Sequence, residues 1–239
     1  MSTELRARQL GYRKLNDIVR AQDGHIVIRD CFGERFIGSG ASDKTITIYG
    51  TPGNALGAYL DGAAIEVFGN AQDAVGDTMN SGEIIVHGHA GDALGYAMRG
   101  GIIYVQGDSG YRTGIHMKQY QDTCPVIVVG GTTGSFLGEY LAGGLLIVLG
   151  LGGGGEPPVN RFTGTAMHGG LIYLRCDEAP DDLPDQVAAR VATDEDMRRI
   201  VPYLQGFAAH FGVDLTALTQ CRYHVLSPKA SPKQLYTIN

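Results

Sequence analysis

Short segments in which apolar and polar residues alternate recur along the chain: TITIYG, AIEVFG, EIIVHG and IIYVQG. A period of two is that of a β-strand, because successive side chains leave a pleated backbone on opposite faces. One face carries Ile46, Ile65, Ile84 and Ile103, then Ile48, Val67, Val86 and Val105, and is expected to look inward. The other carries Thr47, Glu66, Ile85 and Tyr104, a mixture suited to a surface that meets water in one place and a partner in another. Three series of positions keep a step of 19 residues: Gly50, Gly69, Gly88 and Gly107; Gly57, Gly76, Gly95 and Gly114; Leu60, Met79, Met98 and Met117. The insertion IHMKQYQDTCP shifts the register, which VIVVGG, GLLIVLGL and LIYLRC resume, the last after LGGGGEPPVNRF. Upstream, HIVIRDCFGERFIGSG aligns as a degenerate first turn, so about eight turns lie between His25 and Cys176.

Repeats that cannot bury their apolar face alone must stack on one another. The GxxGxxxGxxM stretch between strands has no helical periodicity, so it reads as further extended backbone with corners. The expected fold is therefore all-β, a right-handed parallel β-helix of about eight coils of ~19 residues over 25–176. Residues 1–24 are expected to form an N-terminal helical cap that includes LNDIVRAQ and blocks edge pairing, and 177–239 an acidic linker and C-terminal helical segment. In that segment Met197, Ile200, Val201, Leu204, Phe207, Ala208 and Phe211 share one helical face. Thr193 suits its cap and Gly212 its end, while Pro202 should kink it or move its start. Outward Ile85, Tyr104, Val128, Ile147 and Tyr173 form a column that should be covered, by a partner or by this helix.

Composition narrows the function. The net charge is -6 and no run of Lys or Arg occurs, which argues against a nucleic-acid surface. The opening residues lack the apolar stretch of a secretory signal, and the longest apolar run, Leu141 to Leu151, is broken by glycine and too short to span a bilayer. A soluble, cytoplasmic protein without a membrane partner is expected. Cys31, Cys124, Cys176 and Cys221 show no metal-ligand or redox spacing and read as reduced thiols.

Candidate chemistry is sparse. GxxGxxxG recurs without a helix behind it, so its glycines suit corners better than a phosphate loop, and GGGG at Gly152 to Gly155 lacks a following Lys-Ser/Thr pair. His87 and His89 should point in opposite directions, while Asp73, Asp77 and Asp92 read as turn residues. The most polar unusual segment is GYRTGIHMKQY, with GEY and MHGG beyond it. Arg112, His116 and Lys118 would put cations close to Glu139, either as a local salt-bridge network or as a docking face. The candidate subunit interface is Arg112, His116, Lys118, Glu139, Tyr140 and His168. No residue is assigned to catalysis, a cofactor or a metal.

The stretch from GNAQDAVGDTM to GYRTGIHMK, with GEYLAGGLLIVLGL and GTAMHGGLIYLR, resembles the third, Gly-rich GXGXG β-helix domain of the glutamate synthase large subunit. The resemblance covers His25 to Arg175 and implies a non-catalytic structural subunit of a glutamate synthase-like complex in nitrogen metabolism and glutamate biosynthesis, forming glutamate or N-methylglutamate. Glutaminase-type and flavin/iron–sulfur synthase-type partners would supply what this chain lacks upstream: an amino-terminal Cys nucleophile after Met1, a Cys constellation and a flavin-binding barrel. FMN and the iron–sulfur cluster are expected in those partners of a hetero-oligomer, and no cofactor in this chain. The Gly-rich subunit of formylmethanofuran dehydrogenase, or its formyltransferase/hydrolase counterpart, resembles the pattern more loosely and implies the alternative of C1 metabolism. The Gly-rich insertion and the tail PKASPKQLYTIN lie outside the shared repeat.

Overall fold

The computed structural model describes residues 2–229. Met1 and the end of the expected C-terminal segment, residues 230–239, lie outside the described residues. The chain runs β1 (Thr3–Arg6), α1 (Ala7–Ala21), β2 (Gly24–Phe32), β3 (Lys44–Thr51), β4 (Asp61–Phe68), β5 (Ser81–Val86), β6 (Ile102–Val105), β7 (Val126–Val129), β8 (Ala142–Val148), β9 (Gly169–Arg175), β10 (Val187–Val191), α2 (Asp194–Phe211), α3 (Leu215–Thr219) and β11 (Tyr223–Pro228).

The eleven strands of the described residues belong to one open sheet, in the order β1 to β9, then β11, then β10. Strands β1 to β9 pair in parallel, whereas β11 is antiparallel to both β9 and β10. This corrects the expected all-β parallel β-helix: the architecture is a single mostly parallel sheet with helices toward both chain ends. Two physical reasons account for the difference. The Gly-rich segments opposite the strands do not extend, because positive φ recurs at every second residue, as at Ala55, Gly57 and Tyr59 or Arg112, Gly114 and His116. A ladder needs successive negative φ, so these segments contribute only isolated bridges, such as Ala71 with Ala90 and Ala90 with Ser109. Beyond Arg175 the repeat ends, and the last two strands return antiparallel.

The strand rows meet in the register that the period demands. Ile46 pairs Ile65, then Ile84, Ile103, Ile127, Leu146 and Ile172, and each is at most 1% exposed. Leu60, Met79, Met98 and Met117 close the same core from the turn side. Gly57 shows why the turns need glycine there: its φ is 63°, and a Cβ would stand 2.7 Å from Ile84 Cδ1.

The outward column is buried too. Ile85, Tyr104, Val128, Ile147 and Tyr173 pack under Ile200, Leu204 and Phe207 of α2 in a second core. Thr193 and Asp196 form a capping box at the start of α2, and Gly212 ends it in the left-handed conformation. Arg190 grips the Asp196 carboxylate, with Nη2 to Oδ1 at 2.9 Å, and holds that carboxyl far below the usual range. The helix runs through Pro202 without displacing its start. Gly206 lies directly over the Tyr104 hydroxyl, where any Cβ would collide.

At the other end, α1 buries Leu15 and Val19 and bends at Gly11. Lys44 caps it, its Nζ donating to Val19 O at 3.0 Å and Gln22 O at 2.6 Å. The preceding β1 was not expected from sequence, and it extends the sheet edge rather than shielding it. No helix among the described residues is long and apolar enough to cross a membrane.

Candidate functional site

Each Gly-rich turn alternates left-handed with right-handed or extended residues, and the non-glycine left-handed positions recur in two columns. One column runs Phe36, Ala55, Ala74, Ala93, Arg112, Phe136 and Phe162; the other runs Tyr59, Thr78, Ala97, His116, Tyr140 and Ala166. A Cβ in this region costs about 1–2 kcal/mol. Phe36 and Tyr59 occupy it early, alanine holds most of the middle positions (Ala74, Ala93 and Ala97), and large side chains return at Arg112, His116, Phe136, Tyr140 and Phe162 in the later turns.

There they form two stacks. The Arg112 guanidinium lies 5.4 Å from the centre of the Phe136 ring, which stacks on Phe162 at 4.9 Å. His116 stacks on Tyr140 at 4.9 Å and receives the Tyr96 edge at 5.9 Å. Arg112 Nε donates to Glu139 Oε2 at 3.0 Å, and Glu139 is only 13% exposed while Arg112 is 55% exposed. Tyr140 and Phe162 remain 45% and 51% exposed. Held on left-handed backbone in successive turns, this ridge places cationic and aromatic groups side by side at the surface.

The structure thus unites Arg112 with Glu139 and His116 with Tyr140. Lys118 and His168 stand on an adjoining column, two repeats apart with Ala142 between them, and among the described residues share no side-chain hydrogen bond or ion pair with either pair. Lys118 is exposed and makes no side-chain hydrogen bond or ion pair among the described residues. His168 Nδ1 lies 3.3 Å from Ala166 O. Sequence reasoning missed Phe136, Phe162 and Tyr96. The first two were findable only by carrying the left-handed position across the insertions, where the step lengthens from 19 residues to 24 and then 26.

Other candidates resolve into structural roles. His87 bonds Glu66 at 2.9 Å, whereas His89 Nδ1 accepts the Asp108 amide at 2.9 Å. Asp73 accepts the Asp92 amide at 3.0 Å, and Asp92 accepts the Tyr111 amide at 2.8 Å, tying successive turns together. Burial pushes the Cys31 thiol up to about 12 and Cys176 to about 11, so neither is an ionised nucleophile at neutral pH.

Comparison with known proteins locates the chain. The family model described as the GXGXG motif matches residues 17–225. An uncharacterized protein of Methanocaldococcus jannaschii is 45% identical over 218 residues, covering 87% of this chain and 84% of that protein. Neither finding supports the looser resemblance to the Gly-rich subunit of formylmethanofuran dehydrogenase.

Proposed function

The chain belongs to the GXGXG motif family, and on that premise we propose that it is a non-catalytic structural subunit of a multi-subunit glutamate synthase-like complex in the cytoplasm. Glutaminase-type and flavin/iron–sulfur synthase-type chains would be its partners in a hetero-oligomer, and would hold the FMN and the cluster. The observation that supports a docking role is the ridge around Arg112, His116, Glu139 and Tyr140. Its Arg112, His116 and Tyr140 side chains occupy left-handed backbone that Ala74, Ala93 and Ala97 fill in the preceding turns, and they remain exposed rather than feeding the core. Lys118 adds an exposed cation beside the ridge, and His168 a second polar group farther along. Exposed charges of this kind contribute little to folding but steer association.

The test is purification of the tagged chain from native extract at low salt, with mass spectrometry of what co-elutes. Glutaminase-type and flavin/iron–sulfur chains in fixed proportion are the expected result. The chain eluting alone, or turning over glutamine by itself after an orthogonal purification, would overturn the reading.

A further inference from the structure

A second surface feature lies where the insertion after the fifth turn faces α2. The segment Gln119–Cys124 leans out from the strands, the N-terminal half of α2 crosses the outer face, and a groove of about 710 Å³ opens between them. Its walls include Gln119, Gln121, Cys124, Leu145, Arg199 and Tyr203. That volume falls in the range of small-molecule sites, about 300–1,000 Å³.

The lining has one sign of charge. Arg199 is the single formally charged side chain on it, in a chain whose net charge is -6. Its ion pair with Glu195 is at 4.0 Å to a carboxylate that is 78% exposed, so the guanidinium is held by no close carboxylate. Other donors lack strong acceptors. The Tyr203 hydroxyl has no hydrogen-bond partner among the described residues, and the Gln119 and Gln121 amides make only contacts at 3.4 Å. Beside Arg199 the fully buried Tyr173 hydroxyl has no partner within hydrogen-bond distance, although the guanidinium is near enough to oppose the rise that burial gives its pKa. Burial raises Tyr203 and Cys124 above their ordinary values, so both are neutral and Tyr203 keeps its proton to donate. Leu145 and Leu171 add an apolar wall.

The geometry points to a binding site for a small organic carboxylate, with its carboxylate on Arg199 and Tyr203 and its carbon skeleton against Leu145 and Leu171. A planar guanidinium matches a carboxylate with two parallel hydrogen bonds, which an ammonium cannot do. The site is separate from the ridge and does not depend on its docking role.

Cys124 makes the groove testable in the full-length chain, with benzoate as the probe and benzamide as its neutral counterpart. Alkylation of Cys124 is followed by peptide mass spectrometry at pH 9, with Cys221 as the internal reference. Benzoate is expected to slow reaction of Cys124 with iodoacetamide severalfold while benzamide does not, and Arg199→Gln is expected to abolish that protection. The rate of anionic iodoacetate relative to neutral iodoacetamide at Cys124 should also be roughly threefold or more higher in the wild type than in Arg199→Gln. Arg199→Lys, which keeps the charge without the fork, should retain the iodoacetate preference but protect less with benzoate. Equal protection by benzoate and benzamide in the wild type would overturn the proposal, whatever the variants do. So would a Cys124 inert to both reagents, because the groove would then be closed to ligands.

Discussion

Two surfaces of the same repeats carry outward apolar side chains in columns, yet they end differently. On the strand side, Ile85, Tyr104, Val128, Ile147 and Tyr173 are sealed under α2. On the turn side, Phe36, Tyr59, Tyr140 and Phe162 stay exposed. The strand side is pleated and regular, so an amphipathic helix can lie across it. An 18-residue helix is about 27 Å long, and the five strand intervals from β5 to β11 span about 24 Å, so α2 covers that stretch and stops. Tyr49 and Phe68, stacked at 5.1 Å beyond its end, are left partly open. The turn side alternates left-handed residues and presents a ridge instead of a flat face. A ridge cannot seat the chain's own helix, but it can present fixed side chains to another protein.

The largest expected effect breaks the shared core beneath both surfaces. Val86→Asp places a carboxylate among fully buried Ile and Val side chains, at a cost of several kcal/mol. Loss of the cooperative thermal transition in circular dichroism is expected, and a melt within a few degrees of wild type would refute the packing described. Phe207→Ala strikes the covered surface alone. A loss of about 3–5 kcal/mol with increased binding of a hydrophobic dye is expected, because Ile85 and Tyr104 would lose part of their cover.

A smaller effect tests how α2 is anchored. The Arg190 guanidinium, then the Thr193 cap, hold Asp196 below the ordinary carboxylate range, and burial opposes them. With the folded pKa depressed, this contribution is fully present above about pH 4 and is lost as pH falls through the folded value. Asp196→Ala should cost about 0.5–2 kcal/mol at pH 7, and the gap from wild type should narrow on acidification; a gap constant from pH 7 to pH 3 would contradict the anchor. The smallest expected stability effect lies on the ridge. Arg112→Gln with Lys118→Glu, which brings no second carboxylate against the largely buried Glu139, should shift unfolding by no more than about 1 kcal/mol while reducing co-purification of partners. A large drop in melting temperature with assembly intact would make Arg112 and Glu139 a structural pair and nothing more.

Much of the local structure was legible because it is written in short periods. Alternation placed the strands, the 19-residue step set their order and register from β3 to β6, and the Thr193 and Gly212 signals bounded α2. At the candidate interface, the proximity of Arg112 to Glu139 was readable, but the rings that brace it were not. Phe136 lies 24 residues from Arg112 because the insertion stretches that turn, and the left-handed backbone that aligns the pair has no signature in residue type when Phe, Arg, Ala and Thr all adopt it. Nor was the groove visible, since Cys124 and Arg199 are 75 residues apart and meet only because α2 lies across the strands.

By itself the sequence determined which residues face inward and which stack on which, since a pleat of period two and a repeat of constant length admit one register for the Ile and Val rows. Tertiary structure alone decided that the stacked segments build one open sheet rather than a β-helix, because that depends on backbone torsions at alternating turn positions that composition leaves open. It also decided that β11 inserts between β9 and β10, and that α2 rather than a partner covers the outer column. Those outcomes rest on burial between segments far apart in the chain, where several surfaces compete for the same helix and the fit of Gly206 against Tyr104 helps select one.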